Sequence, residues 1–195
     1  MGQLYTIGCS VLSLDTFIYN LITNEINVIA DVRSIPYSKT TPQFNKEELM
    51  YMLKKERILY MDFSREFGAR RSELYAYIDN QVSFDKTKEL PIFLDGVKRI
   101  EKGLSLGYKI ALMCTEKNPL DCHRFSLVAR GIYEKTGITC LHVLGNGLVK
   151  ETGALEQEML KEFNLEQDLF LDEQDRLKQG YKLLNKKIGY TLSIK

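Results

Sequence analysis

Two short segments near the middle of the chain concentrate its reactive side chains: Cys114-Thr115-Glu116 and, after an Asn-Pro turn, Cys122-His123-Arg124. Asn118-Pro119 marks a helix start, with Asn as cap, Pro at the first position and Asp121 at the third, so a helix is expected over 118–135. That places Cys122 in a first turn, where free N–H groups and the helix dipole favour a thiolate, next to His123 and Arg124. Cys114 ends an apolar strand and faces the same turn. Cys122 or Cys114 is thus a candidate nucleophile, with His123 and Glu116 as proton-transfer groups. The alternative for Cys114 is a small core residue. Cys140, inside an apolar strand, reads as core, and His142, two residues on, as structural.

A second chemistry is open to the same residues. Cys9, Cys114, Cys122 and His123 could supply a tetrahedral zinc set. The spacing Cys114-x7-Cys122 is not that of a zinc knuckle, and neighbours such as Cys122 and His123 seldom ligate one ion together. The arginines offer a third. Arg33 follows a strand end, Arg124 lies at a helix start, and Arg65, Arg70 and Arg71 flank Gly68. Guanidinium groups over a helix N-terminus suit phosphate or carboxylate. Equally, Arg33 could pair with Asp31 or Glu116, and Arg70 and Arg71 could be solvated surface. No Walker loop or GxGxxG occurs, and Gly145-Asn146-Gly147 lacks the third glycine.

These residues need elements to bring them together. Residues 4–8, 26–30, 109–113 and 138–144 are continuous apolar runs of strand length, and a shorter strand is expected over 58–61. Between them, 13–24, 45–56 and 90–106 have helical apolar spacing, with Ser13 as a cap. Continuous apolar strands alternating with amphipathic helices imply a three-layer α/β sandwich with a mainly parallel, Rossmann-like central sheet. Ligands of such sheets bind beyond the carboxyl ends of the strands. Gly8-Cys9-Ser10, Asp31-Val32-Arg33-Ser34 and Cys114-Thr115-Glu116 all fall there. Residues 1–150 are expected to form this domain, and the acid-rich helical stretch from 151 to 195 to pack on it or on a partner.

The chain has 195 residues, with Lys+Arg 27 against Asp+Glu 26, a formal charge of +1. An even balance argues against a global field for duplex DNA, so any anion site is local. The four cysteines and two histidines suit reduced thiols in a cytosol better than a disulfide scaffold. No run of about 18 apolar residues suggests a membrane span. The first residues lack a signal-peptide pattern, and MGQLYT fits a myristoylation pattern only loosely.

Tyr5-Thr6-Ile7-Gly8-Cys9-Ser10, Asp31-Val32-Arg33-Ser34-Ile35-Pro36-Tyr37-Ser38, Phe67-Gly68-Ala69-Arg70, and Met113-Cys114-Thr115-Glu116 with Cys122-His123-Arg124 together resemble the bacterial and archaeal family catalogued as domain of unknown function 488. The resemblance runs over about residues 3–145. It implies one α/β domain whose motifs gather at one pocket, without an established reaction. Cys9 stands where the family usually has histidine, and Ala69 where it has the second glycine of a pair. The expected function is an enzyme acting on an anionic, phosphorylated or nucleotide-like substrate, or on a nucleic-acid end. Gly8, Cys9, Ser10, Asp31, Arg33, Ser34, Ser38, Arg70 and Arg124 would form its anion site. The alternatives are a non-catalytic anion- or partner-binding module, with oligomerisation through the C-terminal helices, and a zinc-binding protein.

Overall fold

The computed structural model describes residues 2–9, 12–166 and 171–192. In chain order the first half comprises β1 (Gln3–Gly8), α1 (Leu14–Thr23), β2 (Val28–Asp31), α2 (Lys46–Lys55), β3 (Leu59–Asp62) and α3 (Ser64–Phe67). A hairpin of β4 (Tyr77–Ile78) and β5 (Gln81–Val82) leads into α4 (Phe84–Lys88) and α5 (Pro91–Ser105). Then come β6 (Lys109–Cys114), a π-helical turn (Arg124–Ala129) running into α6 (Arg130–Thr136), β7 (Cys140–Val143), β8 (Val149–Glu151), α7 (Thr152–Glu162) and α8 (Glu173–Ile188).

The central sheet has the order β3-β2-β6-β1-β7-β8. Every pairing is parallel except that of β7 with β8. This is the expected α/β sandwich. Side chains alternate across each strand, so the sheet carries two apolar faces. Tyr5, Ile7, Ile29, Ala111 and Met113 pack with Phe17, Ile18 and Leu21 of α1 and Leu49 and Leu53 of α2. On the opposite face, Leu4, Val28, Ala30, Leu112 and Cys114 pack with Phe93, Val97 and Ile100 of α5 and with Leu127, Val128 and Ile132.

Strand order explains this division. From β1 to β2 and from β2 to β3 the chain moves toward one edge of the sheet, whereas from β6 to β7 it moves toward the other. Right-handed crossovers in opposite directions place their helices on opposite faces. The carboxyl ends of β2, β6 and β1 therefore lie where the connections diverge, the position at which such sheets form a crevice.

Local chemistry accounts for the helix starts. Ser13 accepts a hydrogen bond from the Thr16 amide at 3.1 Å, as its place before α1 suggests. The expected helix over 118–135 is a different matter. Asn118 does cap a turn, accepting from the Leu120 amide at 3.1 Å, but that turn is a 3-10 segment ending at Asp121. Cys122 is extended, with φ −138° and ψ 138°, and helical structure begins again after it. Cys122 thus occupies a break between two turns rather than the first turn of one helix. The C-terminal stretch is likewise two helices. Leu155, Met159 and Leu160 of α7 and Leu184 of α8 bury against Leu120 and Phe125. The β4–β5 hairpin, α4 and β8 had no counterpart in the sequence reading. Their segments are too short for periodicity to reveal. Among the described residues no helix is long and apolar enough to cross a membrane.

Candidate metal centre

β6 ends at Cys114, and the chain then folds over the end of β1. Gly8 makes this approach possible: a Cβ there would lie 2.0 Å from the Glu116 carbonyl oxygen and 3.1 Å from Arg124 Nη2. Glu116 is two residues beyond Cys114, and its carboxylate turns back toward the strand end. The break before the π-helical turn points Cys122 and His123 at the same spot. Cys114 Sγ lies 3.2 Å and Cys122 Sγ 2.9 Å from Glu116 Oε2. His123 Nδ1 lies 3.6 Å from Cys114 Sγ. One ligand atom from each of Cys114, Glu116, Cys122 and His123 falls within 4.8 Å of the other three.

The surroundings fix these groups. His123 Nε2–H donates to the Val32 carbonyl at 3.0 Å, which leaves Nδ1 facing the thiols and ties the β2 loop to the helix after β6. The Arg124 amide donates to Cys122 Sγ at 3.5 Å. Its guanidinium is fully buried and donates to the carbonyls of Glu116 at 2.6 Å and Lys117 at 3.1 Å. Cys114 and Cys122 are 3% and 1% exposed and His123 9%, so Glu116 is the most open member.

Burial opposes charge throughout the cluster. At Cys122 the hydrogen bond from Cys114 and the positive charges of Arg124 and His123 outweigh it, and its pKa falls well below that of an ordinary thiol. Cys114 goes the other way, raised by burial and by its bond to Cys122. Glu116 is raised by burial and by the charge and hydrogen bond of Cys122. Burial lowers the pKa of His123, but its contact with Cys122 reverses the direction and leaves it raised.

The other expected residues lie elsewhere. Cys9 is not in the cluster. It packs on the α1/α2 face, with Ile7 and Phe17, and burial pushes its thiol up to about 12. Its amide does bond to the Cys114 carbonyl at 3.1 Å, but strand alternation turns its side chain the other way. The β1–β6 register, with Gly8 opposite Cys114, was the signal for this: Tyr5, Ile7 and Cys9 share one face, whereas Cys114 shares the opposite face with Leu112. Glu116, read from the sequence as a proton-transfer group, joins Cys114, Cys122 and His123 in the place where Cys9 was expected.

Arg33 is held by Asp31. Its Nη2 lies 2.6 Å from Asp31 Oδ2 and its Nε 2.9 Å from Oδ1, and Tyr60 donates to the same carboxylate at 2.8 Å. Both partners of the pair are buried. Ser34 Oγ accepts the Arg70 amide at 2.9 Å. Ser38 Oγ accepts the amides of Thr40 and Thr41. The Arg70 side chain is exposed and lies over the Tyr190 ring, 5.1 Å from its centroid. Arg71 is buried, not solvated, and bonds Glu73 and the Arg65 carbonyl. Ser10 lies outside the described residues. The structure therefore gathers Cys114, Glu116, Cys122, His123, Gly8 and Arg124, and does not gather the arginines into one clamp. Cys140 is buried in the core. His142 bonds the hydroxyls of Thr6 at 2.9 Å and Thr152 at 3.0 Å.

No curated protein and no solved structure matches the chain. The model of the family described as "Domain of unknown function DUF488" does match, over residues 13–130, a span that holds Asp31, Arg33 and the whole Cys114–Arg124 cluster. β1 and the two C-terminal helices fall outside it. With well over half of its residues matched, including all four that converge at the end of β6, the chain belongs to this DUF488 family.

Proposed function

We propose that this is a zinc-binding protein in which Cys114, Glu116, Cys122 and His123 hold one ion. The observation that carries this reading is the approach of four ligand atoms of the right kinds to within 4.8 Å of one another. Zinc takes thiolate sulfur at about 2.3 Å and imidazole nitrogen at about 2.0 Å, so tetrahedral neighbours stand roughly 3.5 Å apart. The 3.6 Å separation of Cys114 Sγ and His123 Nδ1 suits that spacing, and the contacts of Glu116 Oε2 with Cys114 and Cys122, at 3.2 and 2.9 Å, need to open by about 0.3 and 0.6 Å. A zinc-bound histidine commonly donates its second ring N–H to a carbonyl or carboxylate. His123 does so to Val32.

Four protein ligands in a buried place make a closed, structural site rather than one with an open position for substrate. The ion would join the end of β6, the loop over β1 and the helix start that is already linked to β2. Bound metal would keep both thiols deprotonated, because ligation requires thiolate.

A second reading, an enzyme acting on an anionic substrate through Cys122, is supported by the depressed thiol pKa and the adjacent His123. The guanidiniums of Arg33 and Arg124, which were to clamp the anion, are engaged by Asp31 and by backbone carbonyls. Elemental analysis of protein purified without a metal-affinity tag separates the readings. About one zinc per chain is expected, falling to near zero in Cys114→Ser/Cys122→Ser. A metal-free protein that takes up no stoichiometric zinc on titration would overturn the first reading. Alkylation of Cys122 well below pH 8.5 in that protein would then support the second.

A further inference from the structure

The four groups that meet at the end of β6 are not held equally. Cys114 is the last residue of β6, opposite Gly8 of β1. Cys122 Sγ accepts the Arg124 amide, and His123 Nε2 is tied to the Val32 carbonyl. Each of these three has an anchor outside the cluster. Glu116 has none: among the described residues its carboxylate contacts only the two sulfurs, at 3.2 and 2.9 Å. It is also the one member partly open to solvent, and Lys117 and Asn118 beside it are exposed.

Zinc binding would remove what holds Glu116 in place. Both of its contacts are hydrogen bonds from sulfur to oxygen, whereas ligation requires thiolates. Without those protons Oε2 faces two negative sulfurs, and its bond to the ion becomes its sole attachment. The three anchored donors, two thiolates and one imidazole, are by themselves a set that zinc uses in sites with an open fourth position.

Charge defines what can stand in for the carboxylate. A divalent ion with two thiolates and a neutral imidazole carries no net charge. Arg124, whose charge acts on Cys122, is fully buried. Its guanidinium donates to the carbonyls of Glu116 and Lys117 and has no carboxylate partner among the described residues. A buried cation without a counter-ion is costly. Glu116 supplies the missing single negative charge when it is bound, and a substitute must supply the same. Lys117, exposed and without an ion pair among the described residues, adds positive potential where such a ligand would arrive.

We infer that Glu116 is an exchangeable ligand, and that a small monoanion entering beside Lys117 takes its place on the ion. One metal–ligand bond forms as another breaks, with no change in oxidation state or in the charge of the coordinated set. The inference rests on the zinc reading and deepens it, since a site closed at rest becomes one that accepts a ligand.

Cobalt(II) in place of zinc makes the exchange visible, because its absorption bands report the donor set. The full chain is loaded with cobalt and titrated with azide, a monoanion, and with neutral imidazole. Intense visible bands of tetrahedral cobalt are expected. Azide should shift them saturably, binding at least about tenfold more tightly than imidazole. In Glu116→Ala about one cobalt per chain should remain bound. Azide affinity should rise there by about tenfold, because no carboxylate competes. If no tetrahedral spectrum forms with the wild type, the zinc reading fails and this inference falls with it. If the spectrum forms but azide in large excess leaves it unchanged, the zinc site stands as a closed one and the inference alone is overturned. Loss of cobalt from Glu116→Ala, azide affinity equal to the wild type in that variant, or imidazole binding as tightly as azide overturns it too.

Discussion

The ends of β2 and β6 lie side by side in the sheet and both carry charged, buried side chains, but they use them in opposite ways. At the end of β2 the groups pair off. Asp31 takes three bonds from the Arg33 side chain and one from Tyr60, and the pair closes on itself. At the end of β6 the groups converge. Two thiols meet the same carboxylate oxygen, and a ring nitrogen joins them. Closed pairing is what stabilisation of a buried ion requires, whereas convergence of acceptor-type atoms on one point is what a cation requires. Residue type alone does not separate them. Arg33, read from the sequence as part of an anion clamp, is paired with Asp31, whereas Cys114 and Cys122, read as candidate nucleophiles or zinc ligands, converge with Glu116 and His123.

The difference can be broken most sharply at β2. Asp31→Ala leaves Arg33 buried without its counter-ion, which should cost about 3–5 kcal/mol in urea unfolding while zinc per chain stays the same. Loss of zinc in that variant would mean that the two regions are one site. Replacing the set as Asp31→Leu/Arg33→Met/Tyr60→Phe should be far milder than Asp31→Ala, since no ion is then stranded.

At β6 the expected effect depends on metal. With free zinc at roughly 100 times Kd, binding adds about 2.7 kcal/mol, so a chelator should lower the melting temperature of the wild type and leave Cys114→Ser/Cys122→Ser unmoved. Gly8→Ala should reach the same site indirectly. The added methyl meets the Glu116 carbonyl, and overpacking of this kind costs about 1–3 kcal/mol. Weaker zinc affinity is expected along with the lost stability, whereas Gly107→Ala, far from the cluster, should leave zinc affinity as it is.

The two histidines sharpen the contrast at the smallest scale. His123 sits against the two cysteines, and its contact with Cys122 raises its pKa. His142 lies between Thr6 and Thr152, and burial together with the charge of Arg124 lowers it to about 3. A histidine lowered on folding binds fewer protons in the native than in the unfolded state. Its stabilising contribution is therefore complete above about pH 6.5 and is lost as the pH falls toward 3. The limiting slope is about 1.4 kcal/mol per pH unit. Acid unfolding of His142→Gln should show a shallower dependence through that window.

Much of this architecture was legible beforehand. Apolar runs at β1, β2, β6 and β7, with amphipathic spacing at α1, α2 and α5, sufficed for a parallel α/β sandwich, because burial on both faces leaves a continuous rather than alternating pattern. The clustering of motifs at strand ends was legible for the same reason. Cys9 was misplaced although its signal was present: period-2 alternation sets it with Tyr5 and Ile7 on one face, whereas Cys114 packs on the other. The break at Cys122 gave no such signal. A helix that stops and restarts within three residues has the composition of one that continues.

Local propensity and periodicity, then, establish which segments become strands and helices and which loops lie at the carboxyl edge. They do not say whether Arg33 meets Asp31 or a ligand, or that Glu116 rather than Cys9 joins the thiols. Nor do they say that Arg124 is buried against the Glu116 and Lys117 carbonyls. Those outcomes depend on atoms brought within about 3 Å by strand order and crossover direction. Distances of that kind are set by packing between elements, and no single segment encodes them.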